Sequence, residues 1–318
     1  MLLGCSKNAS HTSFVYNGFF NFSNQRLMMT LTLQSPAKIN LFLRILNKRP
    51  DGYHALASLF QCLTLADTIQ FSLAEKDLLT CSHPNIPLDK SNLVMKAADL
   101  FRAKTDIHCG FKIFLDKKIP VEAGLGGGSS NAATTLWAIN KLCGEPASLD
   151  DLIQWGAEVG SDVPFFFSQG TAYCTGRGEC VRDLPALPSL DLWIVKPNQG
   201  LSTAAVYRAY KQENAVQRDP DVLLQQALMG NLICFNDLEE PAFALLPSLQ
   251  AFKQKLSLLG FETVMMSGSG SSFFCIGSGV GLRDLISLEK EGIFCAPVKF
   301  LNRAEDQWYG EGSQGVSP

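Results

Sequence analysis

The run Gly124-Leu125-Gly126-Gly127-Gly128-Ser129-Ser130, leading at once into the alanine-rich stretch Asn131 to Leu142, constrains this chain more than any other segment. Glycine has no Cβ, so such a backbone comes close to a ligand, and at a helix N-terminus the unpaired amides and the helix dipole both favour an anion. The segment reads as a cradle for a phosphate, with a flexible turn ahead of a helix as the plain alternative. Two better-known phosphate loops are excluded. A Walker loop needs a Lys immediately before its final Ser or Thr, and none stands here. A dinucleotide fingerprint that begins Gly124-x-Gly126 needs its third glycine where Ser129 stands.

Around the loop the hydrophobic pattern predicts alternating strands and helices. From Leu31 to Ile45 the side chains Ile39, Leu41, Leu43 and Ile45 recur with period two, which gives a strand one core face. Lys38, Asn40 and Arg44 fall on the opposite face, which should line a cleft. Pro50-Asp51-Gly52 marks a turn, and the apolar run Leu59 to Phe71 a second strand. Ser91 or Asn92 can cap a helix to Lys104, Phe111 to Leu115 reads as a strand, and Ser148 to Asp151 as a capping box opening a helix to about Val159. Strands at 190–195, 262–266, 273–276 and 296–301 alternate with helices in the second half. The pattern is α+β, in two packed layers.

Composition narrows the function classes. With 46% hydrophobic and 18% charged residues, the chain can build one large core or two medium ones. A net charge of -3 and a pI near 5.8 supply no basic face, so no nucleic-acid partner is expected and a small anion must be held by local groups. Charges and prolines interrupt every apolar run short of the roughly 20 residues of a membrane helix, so a soluble protein with no membrane partner is expected. Ten cysteines are scattered without a C-x-x-C pair, which implies reduced thiols and a cytoplasmic setting. Residues 1–28 have neither a signal-peptide nor a transit-peptide pattern and read as a disordered extension or as the product of a start codon upstream of Met28 and Met29; the Gly- and Ser-rich 305–318 reads as a disordered tail.

Two further motifs, beside the loop's own, make the anion cradle specific. Pro120-x-x-x-Gly124-Leu125-Gly126 with the following Gly-Gly-Ser-Ser-Asn-Ala-Ala resembles the phosphate-binding motif of GHMP kinases. Ser35-Pro36-Ala37-Lys38-Ile39-Asn40-Leu41 resembles that family's N-terminal motif, and Met266-Ser267-Gly268-Ser269-Gly270-Ser271-Ser272 its C-terminal glycine motif. Within the family, Arg49-Pro50-Asp51-Gly52-Tyr53-His54, the triple glycine with Asn131, and Gly160-Ser161-Asp162-Val163-Pro164-Phe165 are similar to the diphosphocytidyl branch.

The resemblance implies a two-domain GHMP kinase fold, with an N-terminal α+β nucleotide-binding domain at 29–170 and a ferredoxin-like α+β C-terminal domain at 171–304. It implies ATP on Pro120, Gly124, Leu125, Gly126, Gly127, Gly128, Ser129 and Ser130, with Mg2+ whose ligands the sequence leaves open. Asp162 becomes the candidate base and Lys38 the charge beside it, where an Asp before Val-Pro is otherwise a turn residue and a lone Lys is otherwise solvated. The implied partner is a small alcohol bearing a cytidine diphosphate group. Its base would be met by Tyr53, His54 and Tyr207, its hydroxyl or pyrimidine edge by Asn40 and Thr203, and Gly268, Ser269 and Gly270 would close over either its diphosphate or the ATP phosphates. Packing is the plain reading of the aromatics, and a hairpin that of the Gly-Ser segment. A homoserine- or mevalonate-type kinase is the first alternative, against which Asp51-Gly52-Tyr53-His54 argues. A catalytically silent ligand sensor is the second, against which the retention of Lys38 and Asp162 argues.

Overall fold

The computed structural model describes residues 30–214, 216–277 and 287–304; the expected extension at 1–28 and tail at 305–318 lie outside the described residues. The first half of the chain gives β1 (Leu31–Lys48), β2 (His54–Ala74), β3 (Leu78–Cys81), α1 (Leu93–Thr105), β4 (Gly110–Asp116), α2 (Gly127–Leu142) and α3 (Leu149–Val159). A 3-10 turn at Pro164–Phe167 leads to β5 (Thr171–Gly176), β6 (Cys180–Asp183), β7 (Asp191–Lys196), α4 (Thr203–Ala209) and α5 (Pro220–Leu228). After these come β8 (Phe235–Asn236), α6 (Glu239–Leu245), α7 (Pro247–Leu258), β9 (Thr263–Met266), β10 (Phe273–Ile276) and β11 (Phe294–Lys299). Among the described residues no helix is long and apolar enough to cross a membrane, and the nine cysteines are free thiols.

Two sheets organise the molecule. The larger has seven strands in the order β3-β4-β2-β1-β8, with β5 and β6 branching from β2. The branch arises because β2 pairs with β4 through Thr68–Ala74 and with β5 through Leu56–Gln61. Strands therefore do not divide between the sheets at residue 170. The smaller sheet has the order β11-β7-β10-β9, every neighbouring pair antiparallel. Numbered along the chain that order is 4-1-3-2, the ferredoxin-like arrangement.

Alternation along the strands distributes the apolar side chains among three cores. Helices α1, α2 and α3 close one face of the larger sheet around Phe101, Ile139 and Phe165. Ile194 of β7 and Phe274 of β10 point to a core shared by the two sheets with Ile39, Leu41 and Phe300. Their neighbours Val195 and Phe273 point the other way, against Leu249 and Leu256 of α7. Phe273 and Phe274 are wholly buried, and truncating either to Ala would cost about 3–5 kcal/mol. The predicted caps form: the Asn92 side chain accepts from Val94 N, and Ser148 and Asp151 make a reciprocal capping box.

One expectation for β1 is corrected. Its pairing with β2 slips between Asn40 and Phe42, and such a bulge inserts an extra residue that reverses the side-chain alternation beyond it. Lys38 and Asn40 line the cleft as predicted, but beyond the slip Leu43 lines it and Arg44 does not. Arg44 is instead buried in an ion pair with Asp237, which also accepts from Ile45 N.

Candidate active site

The cleft is a cavity of about 990 Å³. Its floor is the N-terminus of α2, and the helix starts at Gly127, four residues earlier than the alanine pattern predicts. Gly126 is its N-cap in the left-handed region, and the first intrahelical bond runs from Ser130 N to the Gly126 carbonyl. The amides of Gly127 to Ser129 precede that bond and supply the donor set of an anion site. Gly124 cannot be another residue without rearrangement. Its φ is +71°, and a Cβ would stand 2.0 Å from the Ser267 carbonyl oxygen. There the two glycine motifs lock together, Ser267 Oγ donating to the Gly124 carbonyl at 3.0 Å and Ser272 N to the Ala123 carbonyl at 3.2 Å.

Beneath the cradle lies a buried polar network that sequence reasoning missed. Asp67, wholly buried in β2, accepts from Lys117 Nζ at 2.7 Å, from the Lys118 and Ile119 amides at 2.8 Å, and from Asn131 Nδ2 at 2.9 Å. Asn131 Nδ2 also donates to Ser35 Oγ at 2.9 Å, and Ser35 Oγ to Ser130 Oγ at 2.8 Å. The network fixes α2 against β1 and β2 and presents Lys117 to the cavity. Burial pulls the Lys117 ammonium below its ordinary range despite Asp67. It also occupies Ser130, whose hydroxyl is buried and does not line the cavity. Gly270 does not line it either. The other sixteen residues expected from the sequence all do.

Lys38 and Asp162 meet across this cavity. Lys38 Nζ is 3.3 Å from Asp162 Oδ2, donates to Asn40 Oδ1 at 2.8 Å, and lies 4.4 Å from the centroid of the Phe60 ring. Asn40 is oriented in turn by its Nδ2 donating to Ser58 Oγ at 2.9 Å. At the slip in pairing between Pro36 and Lys38, the Lys38 amide turns from β2 to the Leu125 carbonyl at 2.9 Å, so β1 carries the glycine loop directly. Lys38 is nearly buried at 5% side-chain exposure and Asp162 is 30% exposed, so the pair opens to solvent only on the carboxylate side. That arrangement can hold a proton acceptor and a cation on one reacting oxygen.

At the far end of the cavity, aromatic side chains gather. The rings of His54 and Tyr207 are 5.6 Å apart at 33°, and Tyr210 meets His54 edge-on at 5.8 Å. In α4 it is Val206 that is wholly buried, while Tyr207 is half-buried on the cavity wall. Tyr53 is exposed, with the Arg177 guanidinium over its ring. Burial, then the Lys48 charge, lowers the His54 pKa below its ordinary value, so the ring is neutral at pH 7. Burial, then the Asp162 charge, raises the Tyr207 phenol. Thr203 Oγ1 and Ser269 Oγ, 2.9 Å apart, join α4 to the second glycine motif, and Asn236 Nδ2 donates to the Gly268 carbonyl at 2.8 Å.

Comparison with known proteins accords with this geometry. Residues 92–170 match the GHMP kinases N terminal domain. The chain is 50% identical over 285 residues to 4-diphosphocytidyl-2-C-methyl-D-erythritol kinase of Protochlamydia amoebophila (strain UWE25), covering 89% of this chain and 94% of that one. It is 46% identical over 297 residues to the chloroplastic/chromoplastic 4-diphosphocytidyl-2-C-methyl-D-erythritol kinase of Solanum lycopersicum, covering 90% of this chain and 74% of that one. A crystal structure of 4-(cytidine 5'-diphospho)-2C-methyl-D-erythritol kinase superimposes with a TM-score of 0.71 at 34% identity, covering 84% of this chain and 99% of that one.

Proposed function

Because the chain belongs to the 4-diphosphocytidyl-2-C-methyl-D-erythritol kinase family of GHMP kinases, we propose that it transfers the γ-phosphoryl group of ATP to the 2-hydroxyl of 4-diphosphocytidyl-2-C-methyl-D-erythritol, in non-mevalonate isoprenoid synthesis. The observation that carries this reading is the Lys38–Asp162 pair, 3.3 Å apart, in the same cavity as the α2 N-terminus. ATP lies with its phosphates on Gly124 to Ser129, between Pro120 and the helix amides. The substrate hydroxyl lies at Asp162, which accepts its proton as the oxygen bonds to the γ-phosphorus and the bond to the bridging β,γ oxygen breaks. Lys38, with its ammonium beside that oxygen, stabilises the charge of the transferring group. Asn40 holds Lys38 and reaches the substrate. Tyr53, His54 and Tyr207 take the cytosine, and Thr203, Gly268 and Ser269 the part of the substrate nearest the second glycine motif.

Mg2+ fits as an ion brought by the nucleotide. Among the described residues no group of three or more His, Cys, Asp or Glu side chains is placed to hold a metal, and Mg2+ needs only one or two protein oxygens beside phosphates and waters. Asp162, Glu122 and Ser129 are oxygen donors lining the cavity, and the ion bound there would neutralise β- and γ-phosphate charge. The test is ADP release by the pure protein with ATP, Mg2+ and a panel of alcohols. Turnover with the diphosphocytidyl alcohol and none with homoserine or mevalonate is expected; comparable turnover with either of those overturns the assignment.

A further inference from the structure

Arg177 lines the cavity but has no part in the glycine cradle or in the Lys38–Asp162 pair. It sits at the tip of the β5–β6 hairpin, in Thr175-Gly176-Arg177-Gly178-Glu179. Glu179 ties that tip to itself, its carboxylate accepting from the Arg177 backbone amide and, at 3.4 Å, from Nε. Burial alone would raise the Glu179 pKa; the amides of Glu179 and Arg177 and the Arg177 charge hold it below its ordinary value.

Two contacts give the tip its meaning. Gly178, at φ +117°, lies so close to Asp162 that a Cβ would stand 3.2 Å from Oδ1. On the other side the Arg177 guanidinium lies 5.0 Å from the centroid of the Tyr53 ring. The tip thus bridges the ring assigned to the base and the carboxylate assigned to the reacting hydroxyl. The guanidinium meets Glu179 through Nε, and Nη1 and Nη2 make no hydrogen bond among the described residues. Two parallel donors in a rigid fork match a phosphate.

We propose that Arg177 binds the substrate's diphosphate. This rests on the function proposed for the same site: a molecule with its base on Tyr53 and its hydroxyl at Asp162 must pass its diphosphate between them, since that group joins the two parts covalently. Lys48 and Arg208 also line the cavity, but both are exposed, whereas Arg177 is fixed between Glu179 and Tyr53.

Calorimetric titration of wild type, Arg177→Gln and Arg177→Lys with cytidine and with CDP, each in saturating ADP, and separately with ATP, tests the assignment. Charge-assisted hydrogen bonds of this kind predict that Arg177→Gln weakens CDP by about 10- to 100-fold. Cytidine and ATP affinities should be unchanged, and Arg177→Lys should recover part of the CDP loss. Equal weakening of cytidine and CDP would mean that Arg177 only orients Tyr53, and unchanged CDP affinity would leave it without a role; either overturns the proposal. Wild type that binds neither cytidine nor CDP overturns the cytidine-bearing substrate itself, and the role of Arg177 with it.

Discussion

Removing the Asp67 carboxylate should destabilise the protein far more than its distance from any reacting atom suggests. Asp67→Ala strips the counter-charge from Lys117, whose side chain is 6% exposed, and leaves the Lys118 and Ile119 amides without an acceptor. Breaking a buried pair in this one-sided way costs about 3–5 kcal/mol. At roughly 2–4 °C per kcal/mol for a domain of this size, the melting temperature should fall by about 6–20 °C. Lys117→Met added to Asp67→Ala removes the stranded charge, so the double variant should be more stable than Asp67→Ala alone, with a coupling of at least about 1 kcal/mol. Raising the pH makes a second check. Without Asp67, Lys117 is free to lose its proton in the folded state while the unfolded chain keeps it up to about pH 10.5, so the stability deficit of Asp67→Ala should shrink as pH rises. Thermal unfolding by circular dichroism at pH 7 and pH 9.5 reads all three effects. A drop below about 3 °C for Asp67→Ala together with additive single variants would refute the reasoning, since the pair would then carry no more than an exposed one.

Asp162→Asn should keep substrate and ATP affinity and lose at least about 100-fold in turnover, and Lys38→Met should behave alike; near-normal steady-state rates would remove either residue from the chemistry. Gly127→Val should weaken ATP in calorimetry run well below the variant's melting temperature, which should itself fall because a Cβ there stands 3.0 Å from Lys117 Nζ and 3.1 Å from Ile119 Cγ2; retained affinity would place the phosphates elsewhere. Tyr53→Ala should weaken cytidine by about 5- to 150-fold, the scale of a lost stacking contact, and Tyr207→Ala should match it if both faces of the base are covered. If Tyr207 serves only to hold His54, its loss should be small. Because burial lowers the folded-state pKa of His54 from its ordinary value, any loss of cytidine affinity from protonation of this ring should be centred below pH 6.5. Over the same acid range the unfolded chain protonates first, so His54 withdraws stability as pH falls below 6.5. An affinity loss centred above pH 6.5 would show that the ring is not neutral as argued.

What could be read from the sequence, and what could not, follows the range of the interactions. Strands β1, β2, β4, β7, β9, β10 and β11, the Asn92 cap and the Ser148–Asp151 capping box were legible because each is decided within one turn or by a local apolar pattern, whereas the short strands β3, β6 and β8 were not. The start of α2 was misplaced because glycine is a poor helix former, about 1 kcal/mol worse than Ala in a helix interior, so Gly127 and Gly128 read as loop. Gly127 and Gly128 are tolerated at the helix start because α2 is held by packing and by Asn131, which reaches Asp67 64 positions away in sequence. Nor does alternation reveal a bulge: Arg44 obeys the same period as Lys38 and Asn40, and only the pairing of β1 with β2 shows that the phase reverses before it. That reversal has a use. Without it Arg44 would point toward the cavity in place of Leu43, and Asp237, which accepts from both Arg44 and Ile45 N, would be a buried carboxylate without its cation. The bulge lets one strand present Lys38 and Asn40 to the cavity and, a turn of the pleat later, use its next cation to bind the short strand β8 to the sheet.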